Sequence, residues 1–226
     1  MGTRHKVKVL KGNRIIINQY GQWDGYPTEA GKVITHFLKD KDNIDFLKNI
    51  KDKFEYKNEE EQRNFIFGEM TMNPEEAYRE IYKFIYDSDQ YFEKEETGEK
   101  VRWCDISQKQ LINEVYKKFG FEATAYYMMI TRDTGYKILN TIKELDRLEP
   151  DKIIPIFKSD YEGWDIEARY TVNLDKNKLK IEWHDRTLEY DLDNLPSDKE
   201  LEDFEEETRR IDEEKWKQQN EEEEAI

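Results

Sequence analysis

The stretch ARYTVNLDKNKLKIEWHDRTLEYD, residues 168–191, decides the fold class. It contains three runs in which apolar and polar residues alternate, and short polar turns separate the runs at 175–177 and 184–186. Alternation with a period of two is typical of strands with one buried face, and polar clusters between such runs are typical of hairpin turns. The stretch therefore predicts a three-stranded antiparallel meander.

A second β region lies near the other end of the chain. Residues 6–20 carry the β-branched residues Val7 and Val9 on one side of Gly12-Asn13 and three isoleucines on the other side. Turn residues between two such runs indicate a hairpin. We therefore expect two strands before the first helix.

The residues between these β regions carry helical signals. Thr28 is the predicted N-cap of a first helix that continues to about Leu38, and Asn73-Pro74 predicts the start of another helix. Ser107 begins a capping box before a further helix, which Gly120 is expected to end. Strands at both ends with helices between them predict an α+β fold, in which helices cover a mostly antiparallel sheet.

Four segments have weaker signals. Residues 58–63 are charged and are predicted to form a loop, whereas residues 101–104 have a strand-like pattern. Residues 121–130 form an apolar run that fits either a helix or a strand. Asp133 is expected to begin a later amphipathic helix.

The last predicted helix is strongly acidic. Ser197 and Glu200 have the spacing of a capping box, and a narrow apolar stripe follows at Leu201, Phe204, Thr208 and Ile211. From Ser197 onward there are 14 acidic and five basic residues. We expect residues 1–195 to form a single α+β domain and residues 196–226 to form this acidic helix, with a boundary near Pro196.

Composition and charge exclude several kinds of protein. The net charge is −15 over 226 residues, whereas direct nucleic-acid binding needs clustered Lys and Arg that neutralise phosphates. This charge favours a partner protein with a basic surface, and acidity that only maintains solubility is the alternative. The single cysteine, Cys104, excludes an internal disulfide and a multi-cysteine zinc site, and neither a metal nor a cofactor is predicted.

Membrane and catalytic signatures are also absent from the sequence. No apolar run has the length of a membrane span, and MGTRHKVKVL lacks the apolar core of a signal peptide, so a cytoplasmic location is predicted. The sequence contains none of the common nucleotide-binding, metalloprotease or serine-hydrolase motifs. The three histidines are expected to be structural or exposed, so a binding role is favoured over an enzymatic one.

The most concentrated candidate site is QYGQWDGYP at residues 19–27, which we call the aromatic turn. Its side chains combine hydrogen-bonding groups with flat aromatic walls, as sites for planar polar ligands and partner loops do: Gln19, Tyr20, Gln22, Trp23, Asp24 and Tyr26. The alternative interpretation is purely structural. Asp24-Gly25 is a turn pair, Pro27 introduces a helix, and the rings could pack beneath the sheet.

A second polar cluster is TRDTG at residues 131–135. Arg132 and Asp133 stand beside a predicted helix start, and an arginine in that position favours a carboxylate or phosphate. Arg4 is a second candidate anion contact. Alternatively, Asp133 is only an N-cap and Arg132 forms a surface ion pair.

The acidic helix is the third candidate. Negative charge with apolar anchors at Phe204, Ile211 and Trp216 fits a positively charged groove on a protein that handles nucleic acid. The predicted acidic interaction surface consists of Glu205, Glu206, Glu207, Asp212, Glu213, Glu214 and Trp216. The alternative is a solvated tail.

Five motifs occur in a characteristic order along nearly the whole chain. They are MGTR at 1–4, the aromatic turn, TRDTG followed by KIL at 131–139, NLDKNKL at 173–179 and DLDNLPSDKEL at 191–201. In combination they resemble a widespread, poorly characterised family of phage and prophage accessory proteins. The resemblance implies that Arg4, the aromatic turn and TRDTG belong to one shared design. The family usually has Ser-Gly-Gln-Gly after the proline, where this chain has Thr28-Glu29-Ala30-Gly31, and this chain extends into the acidic helix.

Three hypotheses follow. The leading one is a phage-encoded inhibitor that binds a host defence protein, such as an anti-CRISPR protein acting on a CRISPR nuclease. The second is a binder or hydrolase of a nucleotide-like molecule, in which Arg4 and Arg132 contact anionic groups and Trp23 or Tyr26 stacks on the base. The third is a structural phage or host-takeover protein without a ligand.

Overall fold

The computed structural model describes residues 2–12, 14–50, 73–87, 89–131, 134–152, 154 and 165–224. The chain divides into two compact units, the first formed by Met1–Lys48 with Ser159–Ile226 and the second by Asn49–Lys158. The C-terminal helix belongs to the first unit. The division therefore does not coincide with the boundary predicted near Pro196.

Seven strands and seven α-helices lie within the described ranges. The strands are β1 His5–Lys11, β2 Arg14–Gly21, β3 Phe92–Glu93, β4 Lys100–Val101, β5 Ala168–Asn173, β6 Lys178–Trp183 and β7 Arg186–Asp191. The helices are α1 Lys32–Lys39, α2 Lys41–Asn49, α3 Pro74–Tyr86, α4 Gln108–Phe119, α5 Phe121–Ile130, α6 Ile138–Leu148 and α7 Asp198–Glu224. None of these helices combines the length and the apolar composition that crossing a membrane requires.

The first unit contains a five-stranded sheet with the order β2-β1-β5-β6-β7. The N-terminal hairpin (β1, β2) and the C-terminal meander (β5 to β7) are both antiparallel, and β1 joins the two by pairing in parallel with β5. The α+β fold with a mostly antiparallel sheet is therefore confirmed. In β5 and β6 every second residue is buried, because these strands present one face to the core.

The first helix starts differently from the prediction. A π-helical turn, Pro27–Gly31, precedes α1, and its N-cap residue is Tyr26, whose carbonyl accepts hydrogen bonds from the amides of Glu29 and Gly31. Thr28 as N-cap was wrong for two reasons. Pro27 holds the preceding residue in extended backbone, and the Thr28 amide donates 2.9 Å to the carboxylate of Glu205 on α7.

The second unit contains α3 to α6 and the β3–β4 ribbon. The caps predicted for two of its helices are confirmed: the Asn73 side chain accepts from the amides at the start of α3, and the Ser107 side chain accepts from the Gln110 amide. Gly120 has φ +79° and ends α4, as expected for a residue without a Cβ.

Two weaker predictions in the second unit are now resolved. The strand expected at 101–104 is wrong beyond Val101, because the ribbon is two residues long and Trp103–Asp105 form a 3₁₀ turn that places the Trp103 ring against Tyr86. The apolar run at 121–130 is the helix α5. The loop predicted at 58–63 and the helix start predicted at Asp133 lie outside the described residues.

Candidate functional site

Helix α7 packs against the sheet unit along one side, which we call its inner face: Leu201, Phe204, Glu205 and Thr208. All four side chains are buried. Arg186 at the start of β7 contacts this face, since its guanidinium lies over the Phe204 ring at 5.2 Å and bonds to the Thr208 hydroxyl. Phe204 is therefore part of the protein's own core, and its predicted role as an anchor for a partner is wrong.

Glu205 has a structural role within the inner face. Its side chain is 4% exposed, and its carboxylate accepts the Thr28 amide hydrogen bond while forming an ion pair with Arg209. Its negative charge also raises the pKa of the buried Tyr170, although burial itself is the larger cause. Glu205 therefore caps the first helix from inside the unit and is not part of an exposed acidic surface.

Ion pairs and histidine–carboxylate contacts hold α7 at several further points along its length. Lys32 pairs with Glu202 at 2.9 Å and His36 with Asp198 at 2.7 Å, both near the N-terminal end of α7. The His36 hydrogen bond lowers the pKa of Asp198. These contacts, together with the inner face, show that the N-terminal part of α7 docks on its own sheet unit.

Further along α7, the β6–β7 turn provides two more contacts. Nδ1 of His184 lies 2.7 Å from the carboxylate of Asp212, and Asp185 forms an ion pair with Lys215 at 3.2 Å. In the described side chains beyond Lys215, at residues 216–221, no ion pair is formed, yet the helix continues to Glu224. The helix thus extends about 13 Å past its last anchoring contact at 1.5 Å per residue.

The aromatic turn and α7 meet at the same end of the sheet. Strand register aligns five residues across this end: Gly21, His5, Ala168, Trp183 and Arg186. The turn leaves the sheet at Gly21, and Tyr26 then packs edge-on against Trp183 with ring centroids 5.6 Å apart. The Arg209 guanidinium of α7 lies 5.4 Å above the Tyr26 ring. Two candidate sites that are far apart in sequence are therefore neighbours.

Within the aromatic turn the polar groups do not converge on one point. Gln19 is buried, and its side-chain amide donates to the carbonyl of Tyr20, which is half-buried like Gln22. Asp24 is exposed and has φ +53°. Gly25 lies so close to β1 that a Cβ there would be 2.7 Å from the Cβ of His5. These observations favour the structural interpretation for most of the turn.

Trp23 and Tyr170 show the two ways in which rings are used around this turn. Trp23 is 49% exposed, and one side of its ring lies against Gly2, where a Cβ would meet the indole at 2.1 Å. Tyr170 is fully buried, and its hydroxyl donates 2.8 Å to the carbonyl of Gly25. Trp23 therefore remains accessible to a partner on its outer side only.

Of the two predicted anion contacts, Arg4 lies within the described residues and Arg132 does not. Arg4 forms an ion pair with Asp165 at 2.8 Å, and its backbone amide donates to the carboxylate of Glu167. Asp165 therefore compensates part of the charge of Arg4, and the role of Arg4 in binding an anionic ligand stays a prediction. Arg132 and Asp133 lie outside the described residues.

His5 is a buried titratable group at this end of the sheet. Burial lowers its pKa to about 4, while a hydrogen bond with the carbonyl of Thr3 acts in the opposite direction. The imidazole is therefore neutral at pH 7. Within the described ranges, no cluster of three His, Cys, Asp or Glu side chains could hold a metal ion, and Cys104 is exposed.

The side of α7 that points away from the sheet, which we call its outer face, carries the remaining acidic candidates: Glu206, Glu213 and Glu214. Trp216 is four residues after Asp212 and therefore lies on the sheet-facing side of α7, beyond the last docking contact. Among the residues that the structure describes, Glu206 and Glu213 form no ion pair, and Glu214 reaches Arg210 of the same helix only at 4.0 Å. Glu207 and Asp212 differ, because Glu207 forms an ion pair with Arg186 at the start of β7 and Asp212 lies against His184 in the β6–β7 turn. Some residues of the predicted acidic surface therefore contact the protein's own sheet unit, and the others form no ion pair with it in the described chain.

One surface in the second unit, a row of tyrosines on α3, was not predicted from the sequence. Tyr78, Tyr82 and Tyr86 follow one face of α3, with ring centroids 6.1 and 4.5 Å apart, and Tyr86 contacts Trp103. Tyr82 is 48% exposed. The spacing of four residues between the tyrosines was visible in the sequence and would have indicated this row.

Comparisons with known proteins add no family or relative to these observations. No family model, curated protein or solved structure matches this chain. The fold and the candidate surfaces define an acidic α+β protein whose terminal helix is partly docked and partly free. Its function is therefore inferred from its own residues.

Proposed function

We propose that this chain is a binding protein that inhibits a nucleic-acid-handling protein by occupying its basic surface. The observation that carries this proposal is that the two faces of α7 have different contacts. The inner face is buried against the sheet, whereas Glu206 and Glu213 on the outer face form no ion pair in the described chain. A rigid helix with free carboxylates on one side is suited to recognition, because its charges are held in place before binding.

Electrostatics supports this proposal. Residues 197–226 contribute a net charge of −9 to the total of −15. Proteins that bind nucleic acid do so through clustered Lys and Arg, which a fixed array of carboxylates can also contact. Such an array would compete with nucleic acid for the same surface, and binding would weaken as salt concentration rises.

The partner class that we propose is a host defence nuclease, such as a CRISPR nuclease, encountered in the cytoplasm of the host cell. The resemblance to phage and prophage accessory proteins favours this class. The chain itself makes no contact with nucleic acid in this proposal, and no catalytic step is assigned to it.

The alternative function, binding of a nucleotide-like molecule at the aromatic turn, has weaker support. Asp165 already pairs with Arg4, and Gln19 faces inward. Thermal-shift measurements with nucleotides and cyclic dinucleotides separate the two functions. A concentration-dependent rise in Tm with one of these ligands would favour the alternative.

The test of the proposed function removes charge from the outer face. The triple variant Glu206→Gln, Glu213→Gln and Glu214→Gln is compared with a control that removes the same charge elsewhere, Asp45→Asn with Glu96→Gln and Glu99→Gln, all of which are exposed. Binding to a single-chain CRISPR nuclease without its guide RNA is measured at low and high salt. We expect the outer-face triple to weaken binding about tenfold and to flatten the salt dependence, while the control changes it by less than about twofold. Equal binding by both variants at low salt would contradict the proposal.

A further inference from the structure

We infer that the free edge of β7 is a docking site for an extended, basic peptide segment, which pairs with it as an added strand. The site uses main-chain groups of the sheet and none of the outer-face carboxylates of α7, so it is a surface beyond the one in the proposed function. It follows from the main-chain groups that β7 leaves unpaired, from their exposure and from the charge along the strand.

The hydrogen-bonding pattern of β6 and β7 shows which main-chain groups lie on the free edge. The Leu192 amide donates 2.9 Å to the carbonyl of Asn177, which is its direct partner when the register of the two strands is continued by one pair. Hydrogen-bonded and non-hydrogen-bonded positions alternate along an antiparallel pair. Counting back from Leu192, the N–H and C=O groups of Leu188 face β6, whereas those of Thr187 and Glu189 face away from it.

These edge-facing groups have no intramolecular partner. β7 is the last strand in the sheet order, and no hydrogen bond of the described chain involves the main-chain amide or carbonyl of Thr187 or Glu189. Both residues are exposed. The opposite edge of the sheet differs, because Ile17, Asn18 and Gln19 of β2 are buried. β7 therefore offers an accessible row of unpaired donors and acceptors, which another extended strand satisfies.

Charge opposes a second copy of this chain as that strand. Two β7 strands that pair antiparallel bring carboxylates face to face in the registers centred on residues 188, 189 and 190. The pairs are Asp191 with Asp185, Glu189 with Glu189, and Glu189 with Asp191. Like charges directly opposite each other destabilise a strand pair, and each copy carries a net charge of −15.

The same carboxylates favour a basic strand. Glu189 and Asp191 occupy exposed positions of β7 and share one cation, Lys178 of β6, at 3.7 and 3.0 Å. A segment with Lys or Arg at every second position would place its cations opposite these two carboxylates, because side chains alternate between the faces of a strand. Its intervening apolar residues would lie beside Leu188 and Tyr190, which are half-buried.

The experiment uses the full chain and a peptide of alternating lysine and valine that matches the six residues of β7. We expect the bound peptide to slow hydrogen exchange of the Thr187 and Glu189 amides about tenfold or more, because these amides gain acceptors. A peptide with glutamate in place of lysine should leave both amides unchanged. Binding of the lysine peptide without slower exchange at these two amides would overturn the site.

Methylated peptides test the strand pairing itself. The lysine amides face β7 in the proposed arrangement, because residues opposite Thr187 and Glu189 exchange hydrogen bonds with them. N-methylation of the lysine amides should therefore abolish binding, whereas N-methylation of the valine amides should retain it. Equal binding of the two methylated peptides would show contact through side chains alone and would overturn strand addition.

Two double variants test the edge from the protein side. Thr187→Pro with Glu189→Pro removes the edge amides but keeps the hydrogen bonds to β6. Glu189→Gln with Asp191→Asn removes the charge. We expect each to weaken peptide binding about tenfold, while the control, Glu206→Gln with Glu213→Gln on the outer face of α7, changes it by less than about twofold. Equal losses for the control and the edge variants would overturn the site. If the proline variant does not fold, the methylated peptides decide the outcome.

Discussion

The inner and outer faces of α7 belong to one helix with one overall composition, yet their side chains have different roles. On the inner face, Phe204 fills the core and Glu205 caps another helix. On the outer face, Glu206 and Glu213 form no ion pair among the described residues. Charge density along a helix therefore does not reveal which charges hold it to the fold. The charges that do so are those with a partner on another element, such as Glu205.

The largest difference between the docked part of α7 and the part beyond its last contact should appear on truncation of an aromatic side chain. Phe204→Ala leaves a cavity between α7 and the sheet and is expected to lower the free energy of unfolding by about 3–5 kcal/mol. Trp216→Ala is expected to change it by less than about 0.5 kcal/mol, because the indole is solvated. Denaturant unfolding measures both values. A loss for Trp216→Ala comparable to that for Phe204→Ala would show that the part of α7 beyond its last docking contact also has a structural role.

The end of the sheet beneath α7 should be sensitive to acid through His5. The unfolded imidazole binds a proton near pH 6.5 and the folded one near pH 4, so the unfolded state binds more protons between these values. Stability should therefore fall as pH decreases from 6.5 toward 4, by about 3 kcal/mol, and His5 should contribute no pH dependence above that window. Denaturant unfolding at a series of pH values measures this slope.

Two histidine variants serve as controls for the pH experiment. His5→Gln should remove most of the slope, since glutamine has no proton to gain. His36→Gln changes an exposed histidine on α1 and should retain most of it. A slope that survives His5→Gln would assign the acid sensitivity to other groups.

The smallest effect concerns two adjacent glutamates that lie on opposite faces. Glu205→Ala leaves the Thr28 amide without its acceptor and Arg209 without its ion pair, and should lower the free energy of unfolding by about 2 kcal/mol. Glu206→Ala should change it by less than about 0.5 kcal/mol. Equal values for the two variants would contradict the assignment of the faces.

The parts of the fold that depend on local pattern were predictable from the sequence. Alternating burial in β5 and β6, the Asn73 cap and the capping box at Ser197 all follow from residues within a few positions of one another. The parallel pairing of β1 with β5 was not predictable, because no local signal specifies a partner strand so far along the chain. Thr28 failed as a cap for the same reason, since its amide is bound by a residue 177 positions away.

The candidate site was predictable by residue type but not by orientation. The acidic stretch and the aromatic turn could be identified from composition, yet their meeting at one end of the sheet depends on the strand order. Glu205 and Glu206 are identical in sequence terms, and only the position of α7 on the sheet places one inside and the other outside. The ion-pair partner of Arg4, Asp165, likewise lies far along the chain and had no local signal.

The parallel pairing of β1 with β5 has a consequence for synthesis on the ribosome. The hairpin of β1 and β2 is made first, but the inner edge of β1 is covered only when Ala168 and the following residues have emerged. At about 5–20 residues per second, translation leaves that edge without its partner for about 8 to 30 s. During this interval the nascent hairpin exposes unpaired backbone groups that other chains could join, so chaperone dependence should be greatest while the middle of the chain is being translated.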